Sequence, residues 1–275
     1  MGAPCLLVDN YFSSRIYSGH TLSALENSSD APLVGAARRS TYDAYQSATP
    51  NADAWVKSRN AVTRYADMVV VERGHNQGGK TVKVQCSDDD FATPAQEPFT
   101  GITPTAAGTG SLDDALGVRT WEGAWLKRFS PRAAYDWRYF VPAMGAGLKP
   151  LVPGLWIGLS WRPGYADRPF APGVTELIVE EMHSDRGWLG RGKATPRRTG
   201  VLHFSFGTML DAEAADWHVQ QIARGRAFWI IPDDERADLA FLAVLPKGNV
   251  GMVLEPRWFY PKLDLPYVEL DPLVP

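Results

Sequence analysis

Short apolar runs separated by turn-forming residues recur along most of the chain and predict β-strands. The clearest is Thr81–Ser87, where Val82, Val84 and Cys86 alternate with polar residues, as in a strand with one buried face. The run Met68–Val71 is continuously apolar, which indicates a strand buried on both faces. We predict further strands over Cys5–Val8, Trp55–Ser58, Tyr65–Glu72, Trp121–Phe129, Trp137–Val141, Leu155–Trp161, Val174–His183, Thr199–Phe206, Ala227–Ile231, Leu239–Leu245, Val250–Tyr260 and Leu265–Leu270.

One segment has helical rather than strand periodicity. Residues 211–224 place Ala215, Val219 and Ile222 on one stripe, which predicts a helix with that face buried. Asp211 is expected to cap the amino end of this helix, and Gly225 its carboxyl end.

The prolines and glycines divide the chain. Residues 162–173 (RPGYADRPFAPG) contain three prolines, which lack the amide hydrogen that a strand ladder needs, so we predict a linker there. The linker separates a domain over residues 1–161 from one over residues 174–275. A second loop is predicted over Thr100–Gly110.

The composition narrows the class of protein. The chain has 275 residues, of which 45% are hydrophobic and 21% charged, which is typical of a globular protein and excludes general disorder. Its 10 Trp, 10 Tyr and 11 Phe, together with 25 Gly and 21 Pro, favour β structure with many turns. The net charge of -3 gives no electrostatic case for binding nucleic acid or a membrane.

The sequence also bears on the compartment. No apolar run has the length of a membrane span, and the first ten residues lack the features of a signal peptide, so we expect synthesis in the cytoplasm. Two cysteines cannot form a disulfide framework. Cys5 and Cys86 are therefore expected to be buried, reduced thiols in strands.

Catalytic motifs are missing. The sequence has no phosphate-binding loop, no dinucleotide-binding glycine pattern, no GxSxG, no HExxH and no paired CxxC, so we predict neither an enzyme nor a cofactor or metal site. Asp88–Asp90 is interpreted as a solvated turn because the other ligands of a calcium loop are absent. A glycan hydrolase would need paired acids in a cleft, and the adjacent Glu180 and Glu181 point to opposite faces of a strand.

Two groups of residues are candidate interaction sites. The basic segment 186–198 (RGWLGRGKATPRR) is interpreted as a flexible loop, either solvated or ordered against a neighbouring subunit, with DNA as a less favoured partner. Its interface candidates are Arg186, Trp188, Arg191, Lys193, Arg197 and Arg198. Aromatic rings and a polar loop in the first half could instead contact sugars, although most aromatic residues of a sandwich are core. These ligand-binding candidates are Tyr42, Tyr45, His75, Asn76, Trp121 and Trp125.

The first half resembles a discoidin (galactose-binding-like) domain. The motifs that carry this resemblance are, in chain order, Trp55-Val56, Tyr65–Val71, His75-Asn76, Val82–Asp89, Arg138-Tyr139-Phe140 and Leu155–Leu159. The resemblance covers residues 1–161 and implies an eight-stranded jelly-roll sandwich. Arg59-Asn60-Ala61 stands where that family usually has Asp-Leu-Gly, so the local turn departs from the family pattern. The family binds sugars, lipids or proteins through variable loops, so no ligand follows from it.

The second half resembles the β-barrel of tail-tip proteins of tailed bacteriophages, especially distal tail proteins. The resemblance is carried by residues 210–234 (LDAEAADWHVQQIARGRAFWIIPDD) and by Tyr267–Leu270. It implies a mainly β protein in which a jelly-roll β-sandwich is followed by a β-barrel with one inserted helix. It also implies a structural subunit at the virion tail tip, made in the host cytoplasm, which forms a homohexameric ring and joins the tail tube to the tail hub.

An alternative function within the same class of protein is left open. The first domain could make the chain a carbohydrate-binding or host-surface-binding adhesin module of a virion, with a host-surface glycan as partner. Binding of glycans, rather than assembly into a ring, would favour this alternative.

Overall fold

The structure is a computed structural model that describes fifteen stretches of the chain. These are residues 4–12, 21–25, 45–72, 74–103, 112–113, 118–119, 124–162, 165–166, 175–184, 187–205, 209–224, 226–235, 240–246, 252–253 and 262–270. The first half contains strands β1 (Cys5–Leu7), β2 (Thr21–Ala24), β3 (Tyr45–Gln46), β4 (Ala54–Val71), β5 (Thr81–Ser87), β6 (Gln96–Ile102), β7 (Leu112–Asp113), β8 (Val118–Arg119), β9 (Trp125–Val141), β10 (Leu151–Val152), β11 (Leu155–Gly158) and β12 (Ser160–Trp161). The second half contains β13 (Tyr165–Ala166), β14 (Thr175–Ser184), β15 (Gly187–Ser205), helix α1 (Met209–Ala223), β16 (Phe228–Ile231), β17 (Phe241–Val244), β18 (Met252–Val253) and β19 (Lys262–Glu269). The predicted mainly β class is confirmed.

A six-stranded antiparallel sheet forms most of the first half. Its order is β11-β4-β9-β5-β6, and β2 pairs with the opposite edge of the first part of β4. The long strands β4 and β9 pair along almost their whole lengths, which merges four predicted strands into two. The register shifts between Arg59 and Arg64 and again between Ala66 and Met68. The second shift changes which positions face the core: Val56 and Ala66 do so before it, and Val69 and Val71 after it.

The inner face of this sheet carries the first core. Trp137 and Tyr139 alternate with polar residues on β9 and are fully buried, as are Val82 and Val84 on β5. The short pair β3–β10 covers the same core. Both cysteines are buried free thiols in strands, as predicted.

A nine-stranded antiparallel sheet forms the second layer. Its path is β12-β1-β16-β17-β19-β15-β13, and β14 and β18 pair with β15 and β19. Trp161 on β12 contacts Phe204 on β15, with ring centroids 5.9 Å apart, although the two strands lie far apart in this order. The sheet therefore curls around its core. Ala215, Val219 and Ile222 of α1 are buried in that core, as the periodicity predicted.

The outer face of the first sheet is partly covered by the second. Met68 and Val70 of β4 pack in one apolar cluster with Leu7 of β1 and with Trp229 and Ile231 of β16. This contact explains why Met68–Val71 is continuously apolar: one side faces the first core and the other faces the second sheet. Strand β4 is thus buried on both faces here, as predicted.

The sheets do not follow the predicted division at residues 162–173. Strand β1 pairs with both β12 and β16, so residues 5–7 and 160–161 of the predicted first domain belong to the sheet of the second half. Backbone hydrogen bonding therefore links the two halves. A periodicity argument cannot detect such pairing, because it is local to each strand.

Three element predictions are corrected. The basic segment is not a loop, since residues 187–198 form the first part of β15 and pair with β14. The helix begins at Met209, so Asp211 lies inside its first turn rather than at its cap. Thr100–Ile102 is strand, because β6 continues through it opposite Thr81–Lys83.

Candidate functional site

The outer face of the six-stranded sheet carries a mixed aromatic and charged surface near the end of β5. Alternation places Trp55 and Lys57 of β4 and Arg138 of β9 on the face opposite the core. Gln85 of β5 lies directly opposite Arg138, and Phe91 belongs to the turn that follows β5. We call these five residues the cation–aromatic face.

Two cations and two rings contact one another in this face. The guanidinium of Arg138 lies 4.0 Å from the ring centroid of Phe91 and 5.7 Å from that of Trp55. The Lys57 ammonium lies 5.7 Å from the Trp55 centroid and 5.9 Å from the Phe91 centroid. Contacts of this kind hold long cationic side chains in defined positions.

A row of hydrogen bonds extends the face across β5 to β6. The Arg138 Nε–H donates to Gln85 Oε1 at 2.8 Å, and the Gln85 amide donates to Glu97 Oε1 at 2.8 Å. Lys83 Nζ lies 2.9 Å from the same carboxylate oxygen. The Lys83 hydrogen bond, followed by that of Gln85, lowers the pKa of Glu97, which therefore stays ionised.

The turn that carries Phe91 has an unusual backbone. Asp90 and Phe91 have φ values of 60° and 63°, in the left-handed region that residues with side chains adopt rarely. Two acceptors hold it: Ser87 Oγ takes the Phe91 N–H at 3.0 Å, and Asp136 Oδ2 takes the Asp90 N–H at 3.0 Å. Strained backbone held in this way is found disproportionately at functional sites.

Asp136 is the buried anchor beneath this turn. Its side chain is inaccessible to solvent, and Oδ2 also lies 3.3 Å from an Arg59 nitrogen. Burial raises the pKa of Asp136. Beside it, Asp90 pairs with Lys57, and that hydrogen bond lowers the pKa of Asp90. The two acids fix the positions of Arg59 and Lys57.

Most predicted ligand-binding residues do not reach this surface. Tyr45 and Trp125 are buried in the first core, so neither offers a ring for stacking. Asn76 is occupied by backbone, since it donates to the Lys149 carbonyl at 2.8 Å and accepts from the Leu151 N–H at 2.9 Å. Asn76 therefore holds the backbone around β10 in place, which is a structural role. Tyr42 and Trp121 lie outside the described residues.

His75 is buried rather than available for binding, and its Nδ1 accepts the Gln77 N–H at 3.3 Å. Burial lowers its pKa to about 3, from an ordinary value of 6.5. The unfolded chain therefore binds a proton that the folded chain excludes between these pH values. The contribution of His75 to the free energy of unfolding is fully present above pH 6.5. It falls as the pH decreases, by up to about 1.4 kcal/mol per pH unit.

His218 adds a second, similar contribution. Its ring stacks on Trp161 with centroids 4.8 Å apart, and burial lowers its pKa to about 4. When the pH is lowered from 7 to about 5, we expect the free energy of unfolding of His75→Gln to fall by about half as much as that of the natural chain. Urea unfolding at the two pH values measures this. An equal loss in both proteins would show that His75 takes up its proton in the folded state.

The predicted subunit-interface residues lie along β15. Trp188, Arg191 and Lys193 are in its first part, which pairs only with β14 among the described strands, and Arg186 falls outside the described residues. Arg198 has contacts within the second half: its backbone N–H donates to Glu269 at 3.0 Å, and its guanidinium lies 4.7 Å from the Phe241 centroid. Arg197 lies opposite Glu176 and is half-buried. Their role in assembly stays a prediction.

No cluster of three or more His, Cys, Asp or Glu side chains able to hold a metal ion occurs in the part of the chain that the structure describes. In the same part, no helix is long and apolar enough to cross a membrane.

Sequence reasoning missed the cation–aromatic face. The signal was present, because Trp55, Lys57 and Arg59 alternate with the core positions Val56 and Ser58. What the sequence could not show was that β9 and β5 lie beside this part of β4, which brings Arg138 and Phe91 to the same place.

Comparison with known proteins gives partial structural likenesses only. No family model and no curated protein matches the chain. A Ruminococcus gnavus GH29 fucosidase in complex with fucose is 14% identical, with a TM-score of 0.42, over 56% of this chain and 27% of its own. A chitosan-binding module from the chitosanase/glucanase of Paenibacillus sp. IK-5 is 14% identical, with a TM-score of 0.39, over 54% of this chain and 98% of its own.

A third structure is the family 32 carbohydrate-binding module of C. perfringens NanJ in complex with galactose. It is 11% identical, with a TM-score of 0.38, over 50% of this chain and 92% of its own. The chain therefore matches about a quarter of the fucosidase and nearly the whole of the two modules. All three TM-scores are below 0.5, so the likeness assigns neither a family nor a ligand.

Proposed function

We propose that this protein binds carbohydrate through the cation–aromatic face. The observation that carries the proposal is the placement of two half-buried rings, Trp55 and Phe91, beside planar polar groups on the sheet face opposite the core. Sugars present apolar C–H patches and hydroxyl groups, so a site for them combines aromatic surface with a few fixed hydrogen-bonding side chains.

The polar groups of the face are already fixed in position. Arg138, Gln85 and Glu97 form a continuous hydrogen-bonded row. Such a row offers both donors and acceptors, which is what a hydroxyl group requires, since it does both. Because the row and the strained turn are ordered before binding, little conformational entropy is lost when a ligand arrives.

The tail-tip role stays a prediction from the sequence resemblance, and so does the absence of enzymatic activity. The carbohydrate-binding function is compatible with a virion protein, because a site repeated in many copies gains strength through avidity. The proposed function requires only that the face is open to solvent in whatever assembly the chain forms.

The test uses the full chain on a glycan array, followed by calorimetric titration with the best ligand. Phe91→Ala and Trp55→Ala are each expected to weaken binding at least tenfold, about 1.4 kcal/mol. Tyr65→Ala is the matched control: this ring is 60% exposed on the same strand but lies outside the face, so binding should be unchanged. Absence of binding to every glycan, or an equal loss in the control, would contradict the proposal.

A further inference from the structure

Arg138 has hydrogen-bond donors that no residue described by the structure uses. Its Nε–H is committed to Gln85, but neither terminal nitrogen has a hydrogen bond or salt bridge to any residue that the structure describes. A guanidinium carries five N–H groups in a rigid plane. The unused part of that plane is the pair of terminal nitrogens, which is the part that binds a carboxylate with two parallel hydrogen bonds.

The charges around Arg138 leave it without a contacting carboxylate among the described residues. Asp90 pairs with Lys57, and Asp136 with Arg59. Glu97 pairs with Lys83, is linked to Arg138 by hydrogen bonds through Gln85, and attracts the Arg138 charge without touching it. Asp90, Asp136 and Glu97 are each in contact with a cation other than Arg138, and no carboxylate of a described residue contacts the Arg138 guanidinium directly.

The position of Arg138 makes this charge costly. The guanidinium is half-buried against the Phe91 ring, and loss of solvent lowers its pKa. A desolvated charge is stabilised most by a counter-ion with matched hydrogen bonds. Stacking on Phe91 and the bond to Gln85 also fix the plane, so the side chain is ordered before an anion arrives.

We infer that the cation–aromatic face takes a carboxylate-bearing sugar, of the uronic acid class, with its carboxylate on the two terminal nitrogens of Arg138. This inference rests on the proposed function and specifies its ligand class. A planar carboxylate fits the fork better than a neutral hydroxyl, and the sugar ring would then lie over Trp55 and Phe91. Lys57 lies against the same rings, but its charge is paired with Asp90, which leaves Arg138 as the group that distinguishes an anion.

The experiment compares two probes with the same sugar backbone: oligogalacturonate, whose carboxyl groups are ionised, and its fully methyl-esterified form, whose carboxyl groups are neutral. The full natural chain is expected to bind the acidic probe at least tenfold more tightly, and added salt should weaken that binding alone. Arg138→Gln should abolish the preference, so that both probes bind alike. Arg138→Lys should restore part of it, because an ammonium supplies charge but not the planar fork.

Lys127→Gln is the matched control, since Lys127 is an exposed cation of the same sheet that lies outside the face. It should keep the full preference.

Equal binding of the two probes by the natural chain would overturn the inference and leave the proposed function standing. Binding of neither probe, together with binding of a neutral glycan that Phe91→Ala abolishes, would overturn it as well. A preference that survives Arg138→Gln would place the carboxylate elsewhere and overturn it too.

Discussion

Replacing Trp137 by alanine is expected to lower the free energy of unfolding by about 3–5 kcal/mol, which is the usual cost of removing a large buried aromatic side chain. Trp137 is fully buried at the centre of the first core. Its ring contacts Tyr11 and Phe129, with centroids 6.4 Å and 6.2 Å away. Alanine would leave a cavity that these rings cannot fill without moving β9.

A second substitution separates volume from hydrogen bonding. The indole nitrogen of Trp137 has no hydrogen-bond partner among the described residues, so Trp137→Phe loses volume but no hydrogen bond. We expect Trp137→Phe to cost about 1–2 kcal/mol. Trp217→Ala is the control, because this ring is 40% exposed on α1, and it should cost less than about 1 kcal/mol. Urea unfolding measures all three, and a Trp137→Ala loss no larger than the control would refute the assignment of Trp137 to the core centre.

Gly158 is expected to tolerate no side chain. It ends β11, opposite Met68, and an added Cβ would lie against the Asp9 carbonyl oxygen and 2.8 Å from its carbon. The obstructing atoms are backbone, so the segment after β1 would have to move. That segment is held by the Tyr11 N–H, which donates to the Ile157 carbonyl at 3.0 Å. We expect Gly158→Ala to cost about 3 kcal/mol.

Gly147→Ala provides the comparison for Gly158. Its φ of 75° makes alanine strained there, but nothing lies within 4 Å of the added Cβ. The expected cost is about 1 kcal/mol, from backbone strain alone. If thermal and urea unfolding of the two variants showed equal losses, the close approach of residue 9 to β11 would be disproved.

Local pattern was sufficient to predict much of the fold, because side-chain alternation and turn residues act over a few positions. The strand Thr81–Ser87 was predicted with its exact bounds, and the buried stripe of α1 was correct. Glycines concealed the strand character of residues 187–198, since glycine is unfavourable in strands unless pairing with a partner compensates. Strand β6 was missed because its exposed residues lack the alternation of a buried strand.

The candidate site could be predicted less well than the fold. Tyr45 and His75 were selected by residue type, which cannot distinguish a core ring from a surface ring. The face that we propose instead depends on the register of three strands, and on two left-handed residues that direct Phe91 back over Arg138. Neither property is encoded within a short stretch of sequence.

The position of β1 in the nine-stranded sheet has a consequence for how the chain folds during its synthesis. Residues 5–7 are made before their partner Phe228–Ile231, from which more than two hundred residues separate them. Until then, β1 can pair only with β12, at Ser160–Trp161. The first half therefore cannot complete its fold before the second half has been made. A recombinant fragment cut between them would expose a bare strand edge beside Leu7, which is a recognised hazard for aggregation.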